Sequence, residues 1–199
     1  MSDYPYEHHG IGAFAYKNNK MFPDGYLGIT YFECKNQDIL KWGMPGLASS
    51  MDDFIAFFHS KAILFPLMEK TDEGWKTIGL AWIDAIDGVE YDRRAMIGFM
   101  FYRKTPYWKT EHATWMGLKC IFDTGKLRIL QGVQLLSNPV ANRHSRKFGF
   151  DDICILPSAV SVKGELKDAR LVSLTAEKFD KIFGEWAETA GFNQINPVR

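Results

Sequence analysis

Two apolar runs with a helix between them constrain this chain more than any other feature. Residues 95–103 (AMIGFMFYR) and 127–136 (LRILQGVQLL) carry β-branched, aromatic and long aliphatic side chains, the composition of strands. Between them, residues 111–125 (EHATWMGLKCIFDTG) read as a helix that ends near Gly125. A strand, a helix and a second strand in that order form a crossover, so the two strands are expected parallel and in one sheet. The 95–103 run is apolar without alternation, which predicts a central strand covered on both faces.

Most other connections are short enough for antiparallel pairing. Residues 62–70 and 77–86 are strand-like runs joined by Asp-Glu-Gly turn chemistry. Residues 26–34 (YLGITYFEC) are β-branched and aromatic and read as a further strand, followed by a short helix over NQDILKWG that Gly43 stops. In SSMDDFIAFFHSKA, Ser50 with Asp53 three positions on resembles a capping box, and Phe54, Phe57 and Phe58 line one helical face. Residues 169–175 (ARLVSLT) predict a strand. A last helix follows, with Phe179, Ile182, Phe183, Trp186 and Ala190 on one stripe and Gly191 past its end. Residues 1–26, rich in Gly, Asn, Tyr and Pro, read as an irregular lead-in to a single domain.

The stretch 138–150 (NPVANRHSRKFGF) is a short polar helix entered straight from a strand. Asn138 suits the N-cap, Pro139 the first helical position and Gly149 the left-handed residue at the end. Val140, His144 and Phe148 share a face at four-residue spacing.

Composition sets outer bounds. The formal net charge is zero, so no long-range field draws the chain to nucleic acid or to an anionic membrane. Cys34, Cys120 and Cys154 are widely spaced with no metal-ligand pattern. That predicts reduced thiols, a cytoplasmic setting and no metal site. Cys120 shares a helix with Met116 and is expected in the core. No apolar run is long enough to span a bilayer.

The order of elements is similar to that of the GNAT acyltransferase superfamily, most of all its ribosomal-protein N-acetyltransferase branch. Four stretches carry the resemblance: Ile78–Gly79 with 95–101, YWKTEHAT at 107–114, the 138–150 helix, and GELKDARLVSLT at 164–175 as a closing hairpin with Asp168 in it. The 138–150 stretch resembles the signature Asn-x-x-Ser-x-Arg-x-x-Glu-Lys-Leu-Gly-Phe, with Ala141 at the serine position. The resemblance implies an α/β fold whose mixed, mostly antiparallel sheet holds a parallel central pair that splays apart, with flanking helices. It also implies acyl-CoA, acetyl-CoA first of all, in the gap.

By the same resemblance the cofactor-binding positions are Met100, Phe101, Tyr102 and Arg103 on the strand, and Lys109, Thr110, His112, Ala113 and Thr114 in a loop at 108–114. Asn138 and Arg143 on the following helix complete them. Lys109 and Glu111 stand where the family loop carries glycines. Acyl transfer to an amine needs a base and a donor for the leaving thiolate. Asp84 and Glu90 are the carboxylates placed for the first role, and Ser145 occupies the position of the second. His144 is open to either an acid–base or a packing role. Arg143, Arg146 and Lys147 read as either a solvated face or an adenosine-phosphate contact. The acceptor would be a small-molecule amine or a protein N-terminus, and an exposed sheet edge or the aromatic N-terminus is where two chains could pair as a homodimer. A rival reading keeps the fold but not the use of CoA, leaving a binding or structural component.

Overall fold

The computed structural model describes residues 5–14, 22–40, 44, 50–89 and 92–192. They build one eight-stranded sheet in the order β1-β2-β3-β4-β5-β6-β8-β7. The strands are β1 (Pro5–His8), β2 (Ile11–Phe14), β3 (Ala62–Thr71), β4 (Gly74–Asp87), β5 (Arg93–Phe101), β6 (Leu127–Leu135), β7 (Asp151–Val162) and β8 (Glu165–Thr175). The helices are α1 (Asp24–Asn36), α2 (Met51–Ser60), α3 (Tyr107–Gly125), α4 (Pro139–Lys147) and α5 (Ala176–Ala190).

Every neighbouring pair is antiparallel except β5 and β6, which run parallel with α3 as their crossover. The expected mixed sheet with its central parallel pair is therefore what forms. Side chains alternate across the sheet, and each face feeds its own core. On one side Phe65, Leu67, Ala81, Ile83, Ala95 and Leu130 meet Trp115, Met116, Leu118 and Ile121 of α3 and Phe179 and Phe183 of α5. On the other, Leu64, Leu80, Trp82 and Met100 meet Leu27, Tyr31 and Cys34 of α1 and Phe54, Phe57 and Phe58 of α2. β5 contributes to both clusters, as an apolar run without alternation requires. Cys120 is fully buried in the first.

Local signals hold where they rest on caps. Ser50 accepts a hydrogen bond from Asp53 N at 3.1 Å and starts α2. Thr175 does the same for α5 through Lys178 N, and Gly191 ends that helix at φ 66°.

Four expectations are corrected. Residues 26–34 lie in helix α1, not in a strand. Leu27, Tyr31 and Cys34 recur at helical spacing and are buried, but Ile29 and Phe32 on the opposite side are exposed and hide the periodicity. The lead-in is not wholly irregular: β1 and β2 form a hairpin turned by His9 and Gly10, both at positive φ. Strand β7 has no counterpart in the expected order. It is an edge strand, mostly solvated, with a register shift around Pro157 and Ser158, so its composition carries no one-sided apolar pattern. Finally, the loop expected at 108–114 is the start of α3, with Pro106 at its N-cap. Without glycine in YWKTEHAT nothing interrupts the helix there. Of the short helix expected over residues 36–43, Asn36 is the end of α1, residues 37–39 are not helical and 41–43 lie outside the described residues.

Candidate active site

The parallel pair β5–β6 is joined only at one end. Arg93 pairs with Leu127, Arg94 with Ile129, Ala95 with Leu130 and Met96 with Gln131. Beyond Met96 the strands part: β5 runs on to Phe101 beside β4, and β6 runs on to Leu135 beside β8. The two inner edges, Ile97–Phe101 and Gly132–Leu135, face each other across a fork.

The fork is lined by backbone. Tyr102 N donates to Ile78 O on β4 at 3.0 Å. Alternation along an antiparallel ladder then turns the N–H and C=O groups of Phe101, Phe99 and Ile97 away from β4, into the fork. Such groups demand partners.

Helix α3 begins beside the open end. Pro106 gives its N-terminus no side-chain cap, and no acidic residue stands in the first turn. The N–H groups of Lys109 and Thr110 both reach Pro106 O, so donors from the very start of the helix remain for an outside partner. The N–H groups of His112, Ala113 and Thr114 lie inside the helix ladder. Their side chains point inward as well: Ala113 and Thr114 are buried, and His112 stacks on His8 of the β1–β2 hairpin with ring centres 5.2 Å apart. Lys109 forms an ion pair with Glu69 on β3. Arg103 is turned toward the end of α1, its N–H donating to Gln37 Oε1 at 2.6 Å and its guanidinium beside Asp38.

Helix α4 begins beside the other prong. Asn138 Oδ1 accepts from Ala141 N at 3.1 Å, and Gly149 takes φ 81° past the end. Asn142, which the sequence did not single out, reaches the carbonyls of Leu135 and Leu136 at 3.2 Å each and fastens the helix to the end of β6. Its only sequence signal is the four-residue spacing from Asn138.

No protein-family model and no curated protein matches this chain. Solved structures do. RimJ from Mycobacterium smegmatis, in complex with CoA-disulfide, superposes with a TM-score of 0.67 over 91% of this chain and 89% of its own, at 17% identity. The microcin C7 self-immunity acetyltransferase MccE, in complex with acetyl-CoA and AMP, gives 0.64 over 84% and 93%, at 17% identity. The ribosomal-protein-S5-alanine acetyltransferase from Vibrio fischeri gives 0.65 over 88% and 98%, at 13% identity.

This chain has the GNAT fold.

Within the GNAT fold the proposed catalytic groups fall on opposite sheet faces. Asp84 pairs across β4–β5 with Met96, the last residue of β5 paired with β6. It shares the α1/α2 face with Leu80 and Trp82. It is half-buried, and burial holds its carboxyl above the ordinary carboxylate range, with the Trp82 side chain opposing the shift. Ser145 lies on the α3 side, almost fully buried, with Oγ 3.0 Å from Gln134 Oε1 and 3.2 Å from Asn142 O. Glu90 lies outside the described residues.

The basic residues of α4 do not act as one patch. Arg146 pairs with Asp152, which also holds Arg170. Lys147 pairs with Glu111 of α3 at 2.6 Å, and Arg143 is exposed. His144 is largely buried beside Phe101 and Phe148, and its Nε2 lies 2.9 Å from Thr114 Oγ1. Among the aromatics, Trp82 and Trp115 are core, while Tyr107 and Trp108 are exposed at the start of α3. Among the described residues no helix is long and apolar enough to cross a membrane, and no group of His, Cys, Asp and Glu is arranged to hold a metal ion.

Proposed function

We propose that this protein is an N-acyltransferase that moves an acetyl or related acyl group from acyl-CoA to an amine. The observation that carries the reading is the fork: a parallel pair hydrogen-bonded from Arg93 to Met96 and open beyond. RimJ and MccE, the relatives in fold with CoA species bound, support the choice of acyl-CoA.

The residues present suit such a molecule. Inner-edge backbone groups from Ile97 to Phe101 would hold its extended amide-bearing arm as a strand neighbour would. The uncapped start of α3, through the N–H groups of Tyr107 and Trp108, would take its diphosphate, because free donors and the dipole both favour an anion there. Lys109, Thr110, Asn138 and Arg143 lie around that path and are assigned to its rim. Bound acyl-CoA would supply an acyl carbon already activated as a thioester.

The chain's own groups do the rest. A backbone N–H on the inner edge of β5 orients and polarises the carbonyl. Asp84 takes the proton from the incoming ammonium, burial having raised its carboxyl's affinity for protons. Ser145 holds a proton at Oγ for the departing sulfur, once it turns from Gln134. With base and acid on opposite faces, the amine enters from the α1/α2 side and the thiol leaves toward α4. The acceptor is an amine on a small molecule or a protein N-terminus.

Calorimetry with acetyl-CoA, followed by a thiol-release assay over a panel of amines and N-terminal peptides, tests the reading. Micromolar to millimolar binding with a rise in Tm is expected, because a ligand selective for the native state must stabilise it. Absence of both heat and Tm shift at millimolar acetyl-CoA would overturn it in favour of a fold retained without CoA.

A further inference from the structure

The two helices that border the fork are tied to each other across it. Helix α3 continues from β5 and helix α4 from β6, so they begin on opposite prongs. Glu111 of α3 and Lys147 of α4 form an ion pair at 2.6 Å, with side chains 21% and 40% exposed. The Lys147 ammonium also lies 5.1 Å from the centre of the Tyr107 ring, at the first position of α3. One turn deeper, Thr114 Oγ1 lies 2.7 Å from Thr110 O and 2.9 Å from His144 Nε2. With the hydroxyl proton given to Thr110 O, the oxygen accepts from His144 Nε2–H. The His144 ring in turn meets the Phe101 ring, the last residue of β5, at 5.9 Å. Side chains from α4 thus reach both the open end of β5 and two successive turns of α3.

These contacts are directional: the Glu111–Lys147 pair is partly exposed, whereas Thr114 is buried and the His144 ring lies against Phe148. Beneath them Phe148 and Trp115 meet edge-on in the core, ring centres 4.7 Å apart. An ion pair and a hydroxyl–imidazole bond placed over a cleft are contacts that can open and close without unpacking the fold.

We infer that Glu111–Lys147 and Thr114–His144 form a latch that closes the fork, and that acyl-CoA enters only when α3 and α4 release it. The inference rests on the acyl-CoA reading and adds its regulation. Opening frees the Lys147 ammonium beside the start of α3, where an anion would dock, so the bound state keeps that cation in use. The closed latch raises the barrier to entry. Entry is then slower than a preformed slot would allow, and the apparent affinity falls by the fraction of molecules that are open.

The test compares wild type with Glu111→Gln and Thr114→Val, which cut one tie each without adding bulk. Association is followed by stopped flow with two probes, acetyl-CoA and S-acetyl-pantetheine. The second carries no phosphate. Glu111→Gln would help an anionic ligand simply by removing a negative charge, but that effect vanishes with a neutral one. Both variants are expected to speed association of both probes by about tenfold, the equivalent of one net hydrogen bond or partly buried ion pair. Equal rates in all three proteins, or a gain confined to acetyl-CoA in Glu111→Gln, would overturn the latch and leave the acyltransferase reading intact. Failure of all three proteins to bind either probe at millimolar concentration would overturn both.

Discussion

The indole of Trp82 lies against Gly98, so close that a Cβ added at Gly98 would stand 2.0 Å from Trp82 Cζ2. The two residues are register partners on β4 and β5, just past the point where β5 leaves β6. The glycine here is a matter of space, not of backbone angle. Gly98→Ala should cost about 1–3 kcal/mol through overpacking, read from urea unfolding. Trp82→Phe in the same chain should recover part of that loss, because a shorter ring leaves room for the methyl. A strictly additive double-mutant cycle would show that the indole does not carry the constraint.

Asp84→Asn should separate catalysis from stability. Loss of the base is expected to lower kcat/KM by about 100- to 10,000-fold with the fold intact by circular dichroism. Burial raises the folded pKa of Asp84 above its unfolded value. The sign follows: its contribution favours folding below the unfolded pKa and is lost as pH rises through the folded one. Asp84→Asn should therefore raise Tm at neutral pH and leave it unchanged near pH 3, measured by scanning calorimetry across that range. The acid limb of kcat/KM in wild type should lie above the ordinary aspartate value.

Acid should loosen the regions around two histidines. Burial, aided by Lys147 and opposed by Glu111, pushes His144 down to about 4 from 6.5. His8 is lowered by burial and by its neighbours His9 and His112. A base whose folded pKa is depressed stabilises the fold above its unfolded pKa, and that stability drains away as pH falls through 6.5 toward the folded value. For His144 the loss is at most about 3 kcal/mol by pH 4. Urea titrations at pH 7.5, 6 and 4.5 should show the decline, and His144→Leu and His8→Phe should each flatten it.

Asn142→Ala should detach α4 from the end of β6. The side chain serves the carbonyls of Leu135, Leu136 and Asn138, and removing it strands part-buried acceptors at a cost of about 1–3 kcal/mol. Hydrogen exchange should rise in residues 139–147 well before it rises in β5 or α3. Uniform protection would contradict the tie.

The parts of the fold that were legible are those written locally. The crossover from β5 through α3 to β6 follows from two apolar runs and the helix between them. The caps at Ser50 and Asn138, and the glycines at 149 and 191, follow from backbone chemistry that a few residues decide. Where burial decides, reading failed. Residues 26–34 read as a strand although they form α1, because Ile29 and Phe32 are exposed and spoil the pattern that Leu27, Tyr31 and Cys34 make. Strand β7 leaves no readable pattern because, at the sheet edge, its side chains mostly meet water.

The candidate site divides in the same way. The sequence by itself determined that two strands flank a crossover, that a capped polar helix carrying Ser145 follows the second, and that Asp84 sits near the end of the strand before the first. Tertiary structure alone decided that the strands part after Met96, that Asp84 and Ser145 stand on opposite faces of the sheet, and that residues 108–114 are helix. It also sent Lys109 to Glu69 and Lys147 to Glu111. The reason is physical. Caps and periodicity are short-range terms in the chain's own coordinates, whereas the partner of a charge and the path of a strand beyond its last hydrogen bond depend on residues brought together from 30 or more positions away.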